Sequence, residues 1–493
     1  MSQLSKTDSS SWDFYGRDSE LQALCKVLDA DRWFFVRVGG RRRIGKTSLV
    51  REALRRSGRD RVAYLQVDDA DPAAVVATAR RHLSLCGVPD GMLPVDLVSL
   101  AATLADLAAA GWVVVLDEFQ WFSRKSLYPF NGMLQFEVDR FLTDRRAASG
   151  GMIVLGSIQT EMVALLDDRR APLYGRLSGS INLGHLDARS VVRILSAHAD
   201  LDPKRLLFLW GLFQGVPKYW RDAWAQGVLT APRTEVLKSL FFDPPAPLQD
   251  EGRYWLVEEL RGRYDLFLRY IAEHPGASNA DIVAHAAQVK GYGDAQPGFY
   301  LGALEQRFQL IRRRTAALAA RTGRNGRYEI SDNFLRSWLA ALADPVALQG
   351  MRPTNELVAI ADERLATAEG ASFEGLVAWL FEERSRLGVG EFALTAPAEP
   401  WWDRVGAEID VVVCAEPRRV MLCSCKRSAT KLVADLPQFE RHIGRFLERH
   451  PELRQHAIVR SAIAPDLTQG QRRSVRDAGY VPLDLTDLLR GLV

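Results

Sequence analysis

Cysteine is scarce in this chain. Five residues in 493, odd in number and mostly scattered (Cys25, Cys86, Cys414, Cys423 and Cys425), exclude a disulfide framework. Cys423 and Cys425 are close neighbours, but no second cysteine pair or nearby histidine completes a zinc site. Long apolar runs are missing too: none reaches the length needed to cross a bilayer. The first ten residues are polar and lack the apolar stretch of a signal peptide. These absences lead us to expect a cytoplasmic protein with no membrane partner. Net charge is also small, +3, so nucleic-acid binding has to be argued from local charge rather than from the whole chain. No internal repeat and no extended low-complexity tract is visible.

What is present is the composition of a soluble globular protein, 47% hydrophobic and 25% charged. The length suggests about three domains. The most informative stretch is Gly40-Arg41-Arg42-Arg43-Ile44-Gly45-Lys46-Thr47, which fits the phosphate-loop pattern G-x-x-x-x-G-K-[ST] at every fixed position. Trp33-Phe34-Phe35-Val36-Arg37-Val38 before it reads as a buried strand, and Ser48-Leu49-Val50-Arg51 after it as a helix start. In that setting Gly40 and Gly45 let the backbone curl around an anion, and the loop amides with the positive helix end point at phosphates. Lys46 reaches the outer phosphates, the Thr47 hydroxyl holds Mg²⁺, and Arg43, Ile44 and Ser48 complete the expected nucleotide contacts. The three arginines of the loop have two open readings, phosphate or acidic-partner contact and a solvated rim.

Trp112-Val113-Val114-Val115-Leu116-Asp117-Glu118-Phe119-Gln120 is a continuous apolar strand ending in two acids, the Walker B pattern. Asp117 is expected in the Mg²⁺ shell and Glu118 as the group that orients or deprotonates the attacking water. A further apolar strand, Met152-Ile153-Val154-Leu155-Gly156-Ser157, puts Ser157 or Gln159 in position to read the γ-phosphate, with a plain polar loop start as the alternative. Arg176, in Pro172-Leu173-Tyr174-Gly175-Arg176, either reaches the γ-phosphate in cis or across a subunit boundary, or makes a structural ion pair.

Together with the lead-in Phe14-Tyr15-Gly16-Arg17-Asp18-Ser19-Glu20-Leu21 and Gly215-Val216-Pro217-Lys218-Tyr219, these motifs resemble the archaeal-type ATPases, signal-transduction (STAND) relatives of AAA+ proteins. The resemblance implies ATP as the nucleotide, a lead-in packed near adenine, a helical lid, and contact of Pro217 with nucleotide. After a proline-rich break at Asp243-Pro244-Pro245-Ala246-Pro247, three amphipathic helices and a hairpin, Ile311-Arg312-Arg313-Arg314 to Arg327-Tyr328-Glu329-Ile330, read as a winged helix. Such a module is common in that family, as is the Asp332-Asn333-Phe334-Leu335-Arg336-Ser337-Trp338 ending. Its clustered arginines (Arg312, Arg313, Arg314, Arg321, Arg324 and Arg327) suit a DNA backbone, or else the hairpin packs on another domain.

The last third resembles the restriction-endonuclease-like PD-(D/E)xK fold often attached to these ATPases. The resemblance assigns Glu374 and Asp410 to Mg²⁺ and Lys426 to catalysis. It departs from the pattern at Ser424, where an acid is expected; Mg²⁺ favours carboxylate oxygen. Glu408 either substitutes or faces solvent. The expected fold is α/β throughout: a P-loop ATPase core (1–190), a helical lid (191–255), a winged helix (256–345), and a linker with a nuclease-like domain (346–493). The expected function is Mg²⁺-dependent ATP binding and hydrolysis controlling a DNA-binding, DNA-cleaving or degenerate C-terminal domain. The alternative is a STAND-type signalling ATPase whose nuclease-like domain binds a protein partner, or a second copy of the chain, without cleavage.

Overall fold

A computed structural model describes residues 11–30, 32–143, 149–157, 159–254, 264–289, 297–319 and 326–492. The polar tail to residue 10 and Arg321, Gly323 and Arg324 of the hairpin turn lie outside the described residues. The chain divides into two compact units. One is Asp13–His185 with Val216–Lys218; the other holds Leu186–Gly215 and the chain from Tyr219 onward.

The first unit is a five-stranded sheet of order β2-β3-β4-β1-β5, in which every pairing is parallel. Its strands are β1 (Phe34–Gly40), β2 (Val62–Gln66), β3 (Val113–Asp117), β4 (Gly151–Leu155) and β5 (Gly179–Leu183). Its helices are α1 (Asp18–Asp29), α2 (Lys46–Ser57), α3 (Pro72–Leu85), α4 (Leu97–Ala109), α5 (Pro129–Thr143) and α6 (Gln159–Leu166). Every residue of β3 and β4 is buried, as aliphatic runs covered on both faces require. The core joins Phe35, Val114, Leu116 and Val154 to Leu100, Leu104 and Leu107 of α4 and Leu134 and Val138 of α5. Side chains set the helix ends: Asp71 accepts from the Ala74 N–H ahead of Pro72, and Asp96 and Ser99 form a capping box. Because β1, β3 and β4 run the same way, their C-terminal ends, and the loops that follow them, share one edge of the sheet.

The second unit begins with helices Ala188–His198 and Pro203–Phe213. Later come helices Tyr264–Glu273, Asn279–Gln288 and Pro297–Gly302 with a three-stranded antiparallel sheet, β6 (Ala277–Ser278), β7 (Ile311–Arg314) and β8 (Arg327–Ile330), in the order β6-β8-β7. A single 33-residue helix, Thr354–Arg386, then runs through the expected step from linker to last domain. Ser372 and Phe373 lie in its middle; Gly370 and Gly375 weaken a helix but leave its hydrogen bonds intact, and Leu357, Leu365, Phe373 and Leu380 hold it to the core.

A six-stranded mixed sheet follows: β9 (Ala393–Leu394), β10 (Glu399–Trp402), β11 (Glu408–Glu416), β12 (Arg419–Cys425), β13 (Ala457–Ala464) and β14 (Val481–Asp484). Its order is β10-β11-β12-β13-β14 with β9 on β11; β10 to β12 are antiparallel, and β12 to β14 parallel. A long helix, Ala429–Arg449, connects β12 towards β13, with Ser428 as cap and Pro437 inside. Leu432 and Leu436 continue the apolar stripe of Phe439, Ile443 and Phe446 onto Val412, Val420 and Leu422. That burial, about 1.5–3 kcal/mol for each large side chain, offsets the missing proline N–H. Among the described residues no helix is long and apolar enough to cross a membrane.

Candidate functional site

At the end of β1 the chain passes so close to β5 that side chains do not fit. A Cβ on Gly40, at φ 138°, would stand 2.7 Å from the Leu183 carbonyl oxygen. The loop then turns through Arg43 (φ 66°) and Gly45 (φ 97°) into α2. Ile44 is fully buried and anchors it, Arg43 is half-buried and Ser48 exposed. Lys46 is buried, and its ammonium donates to the carbonyls of Gly40 (2.8 Å) and Arg41 (2.9 Å). It therefore lies across the concavity of the loop, held by main-chain oxygens. Burial pushes its pKa down to about 8, against the opposing pull of Glu118 and Asp117.

Asp117, buried at the end of β3, is the second component. Its Oδ2 accepts from the Thr47 hydroxyl at 2.9 Å and from the Tyr64 hydroxyl on β2. Its Oδ1 accepts from the Glu118 N–H at 2.9 Å. The Thr47 hydroxyl at the start of α2 and the acid at the end of β3 are thus in contact. Tyr64 was not among the expected site residues; burial first, then the Asp117 charge, raises its pKa.

Glu118 takes the left-handed conformation at φ 58°, which costs a non-glycine residue about 1–2 kcal/mol. Its carboxylate accepts from the side-chain amide of Gln120, whose own oxygen accepts from the Ser157 N–H at 3.2 Å. Gln120 is 2% exposed. Glu118, Gln120 and the end of β4 therefore form one hydrogen-bonded chain, made through the Ser157 main chain. The sequence contained the signal for Gln120 only as the last letter of Asp-Glu-Phe-Gln.

Two further groups bear on the loop. Arg17, 8% exposed, donates to the Ile44 carbonyl at 3.2 Å and to the carbonyls of Gly184 and His185, tying the lead-in to the loop and to the chain after β5. Pro217 lies against the loop, its Cγ 3.7 Å from where a Cβ on Gly45 would be. Arg176, by contrast, grips Asp139 of α5 with two hydrogen bonds of 2.7 and 2.8 Å and holds that carboxyl below its usual range.

The second unit gathers a different cluster. Asp410 on β11 accepts through Oδ2 from the Cys425 N–H (2.7 Å) and from the Lys426 ammonium (2.9 Å). Glu374 lies near enough to feel both: burial first, then Asp410, raises its pKa well above the carboxylate range, while Lys426 opposes the rise. Ser424 is buried on the strand beside them. Glu408 is engaged elsewhere, accepting from Arg327 of β8 at 2.7 Å, and that guanidinium also stacks 4.6 Å from the Trp402 ring. Arg312 and Arg314 of β7 both pair with Glu329. Among the described residues no group of three or more His, Cys, Asp or Glu side chains is arranged to hold a metal ion.

No protein-family model matches the chain. An uncharacterized protein, MJECL04 of Methanocaldococcus jannaschii, is 24% identical over 416 residues, 81% of this chain and 84% of that protein. Two structures of the Aeropyrum pernix ORC2 protein align over 74% and 73% of this chain, with TM-scores of 0.46 and 0.40 at 15% and 16% identity, too low to establish a shared fold. The Walker-type ATPase PABY2304 of Pyrococcus abyssi aligns with a TM-score of 0.51 at 18% identity, over 66% of this chain and 96% of its own. The chain is thus similar in fold to a Walker-type ATPase, with the phosphate loop following the first strand of a parallel α/β sheet.

Proposed function

We propose that the first unit binds and hydrolyses ATP with Mg²⁺. The observation that carries this reading is the contact between Thr47 and Asp117 beside a buried Lys46 whose ammonium is held by loop carbonyls. The donor set suits the group: a hydroxyl and a carboxylate for a hard cation, an ammonium and curled amides for phosphate. Mg²⁺, when bound, supplies the positive charge that polarises phosphate oxygens. Lys46 exchanges the Gly40 and Arg41 carbonyls for the outer phosphates, Glu118 orients the water and accepts its proton, and Pro217 borders the nucleotide. A role for Arg176 in hydrolysis requires it to leave Asp139. Lys46→Ala is expected to abolish nucleotide binding, and Glu118→Gln to retain bound ATP without turnover. Normal turnover by either variant would refute the assignment.

For the rest of the chain we propose that 191–255 acts as a helical lid, 256–345 as a winged helix and 346–493 as a nuclease-like domain acting on DNA under control of nucleotide state. Support comes from the three helices with an arginine-bearing hairpin and from the proximity of Glu374, Asp410 and Lys426. In that reading Glu374 and Asp410 hold the metal, and Lys426 offsets charge developing on a phosphodiester. A specific set of observations favours a second reading, a domain that binds a protein partner without cleavage: Ser424 stands where an acid is expected, Glu408 is committed to Arg327, and Arg312 and Arg314 are committed to Glu329. Cleavage assays on single- and double-stranded DNA, with and without ATP and Mg²⁺ or Mn²⁺, separate the two. Cleavage lost in Asp410→Ala supports the first; none under any condition, with a protein partner retained, supports the second.

A further inference from the structure

Five residues before Glu374, on the same helix, a second acid sits between two arginines. Glu369 is 6% exposed. Its Oε1 accepts from Arg233, on helix Arg233–Leu237, and its Oε2 from Arg427 at 3.0 Å. Arg233 is itself held, by Asp362 at 2.7 Å and by the Phe208 ring at 4.2 Å. Arg427 immediately follows Lys426. Only Lys426, Arg427 and Ser428 separate the end of β12 from the start of helix Ala429–Arg449, so a grip on Arg427 leaves its neighbour little freedom. Lys426 is pinned from the sheet side as well, its N–H donating to the Ile463 carbonyl at 3.0 Å. Along the helix Glu369 and Glu374 are about 7.5 Å apart, so one rigid element presents both the acid beside Asp410 and the acid that holds Arg427.

We propose that Glu369 is a positioning residue for Lys426: one carboxylate joins helix Arg233–Leu237 to Arg427 and thereby sets where the end of β12 delivers its lysine to Asp410. The inference rests on the reading of Asp410 and Lys426 as a functional pair. A buried carboxylate shared by two guanidiniums acts through its charge, because without it Arg427 would lose the Glu369 carboxylate and Arg233 would keep Asp362 alone; a packing role would depend on its volume.

Hydrogen–deuterium exchange of the full chain, read by mass spectrometry, tests this without requiring cleavage. The Cys425 and Lys426 amides, protected by Asp410 and Ile463, report the position of the strand end. Glu369→Gln, isosteric but neutral, is expected to speed exchange in peptide 423–428 about tenfold and to leave β4 unchanged. Glu369→Asp, shorter but charged, is expected to stay near wild type. Exchange in Glu369→Gln no faster than in wild type, or no faster than in Glu369→Asp, overturns the proposal. Should Glu369→Gln fail to fold, Arg427→Gln, altered at an exposed side chain, decides: the same local acceleration supports the proposal, and wild-type exchange overturns it. Asp410→Ala, which leaves no side-chain acceptor for the Cys425 N–H, separates the underlying reading. If the Cys425 amide keeps its protection there, the Asp410 contact does not form in solution, and both the pair and the proposal fall; the other variants can remove the proposal alone.

Discussion

A lysine proposed to bind phosphate has to be charged to do so, yet burial holds Lys46 at about 8, below the ordinary 10.5. A folded state that binds the proton more weakly than the unfolded chain gains stability as pH rises from 8 towards 10.5. Nucleotide reverses the preference, because phosphate oxygens favour the ammonium. ATP binding is therefore expected to take up about half a proton at pH 8 and to weaken roughly tenfold per pH unit above it. Calorimetry in buffers of different ionisation enthalpy reads the uptake, and a binding constant flat from pH 7 to 9.5 would contradict it. Gln120 yields a second prediction. Gln120→Met removes the donor to Glu118 and the acceptor of the Ser157 N–H. We expect kcat to fall about tenfold with ATP affinity unchanged, and no further loss in a Glu118→Gln background, since the side chain acts through that acid. Additive losses in the double variant would show that it acts elsewhere.

The β7–β8 pair carries its arginines in a way composition does not convey. Arg312 and Arg314 converge on one acid, Glu329, directly across the strands, and Arg327 is turned to Glu408 and Trp402. If this element meets DNA, Glu329 competes with the phosphates for two guanidiniums. Glu329→Gln should then tighten duplex binding and steepen its salt dependence by about one to two phosphate contacts, measurable by fluorescence anisotropy across a salt series. Unchanged affinity and slope would leave the hairpin as an internal packing element. In the parallel sheet, where β3 is wholly buried, Leu116→Ala is expected to cost about 2–5 kcal/mol, read from denaturant unfolding of the unit that contains it.

Each unit has its own core, one around β1, β3 and β4 and one around β11, β12 and helix Ala429–Arg449. The whole chain is therefore not expected to unfold in one step. Scanning calorimetry should resolve at least two transitions. ATP with Mg²⁺ at a hundred times its Kd should stabilise one of them, the unit carrying Lys46, by about 2.7 kcal/mol, and Lys46→Ala should erase that shift. A single transition, or a shift that survives Lys46→Ala, would contradict the division of labour.

The sequence by itself determined the phosphate loop, the acid pair after an apolar strand, and hence a parallel α/β sheet. Those signals are local: glycines where side chains do not fit, hydrophobic runs where both faces are covered, acids at a strand end. The grouping of Asp410 with Lys426 was also expected, from the resemblance of the last third to the restriction-endonuclease-like fold, and the two side chains meet at 2.9 Å. Only tertiary structure decided which polar groups meet across distance. Tyr64 reaches Asp117, Gln120 links Glu118 to Ser157, Arg17 reaches the Ile44 carbonyl, Arg176 grips Asp139, and Glu369 joins Arg233 to Arg427. No spacing encodes these, since partners 2 to 136 residues apart are selected by the folding of whole elements. The continuous helix Thr354–Arg386 was hidden for a related reason: it runs across the expected step from linker to last domain, and the packed core around Phe373 and Leu380 supplies the burial that carries it through Gly370 and Gly375.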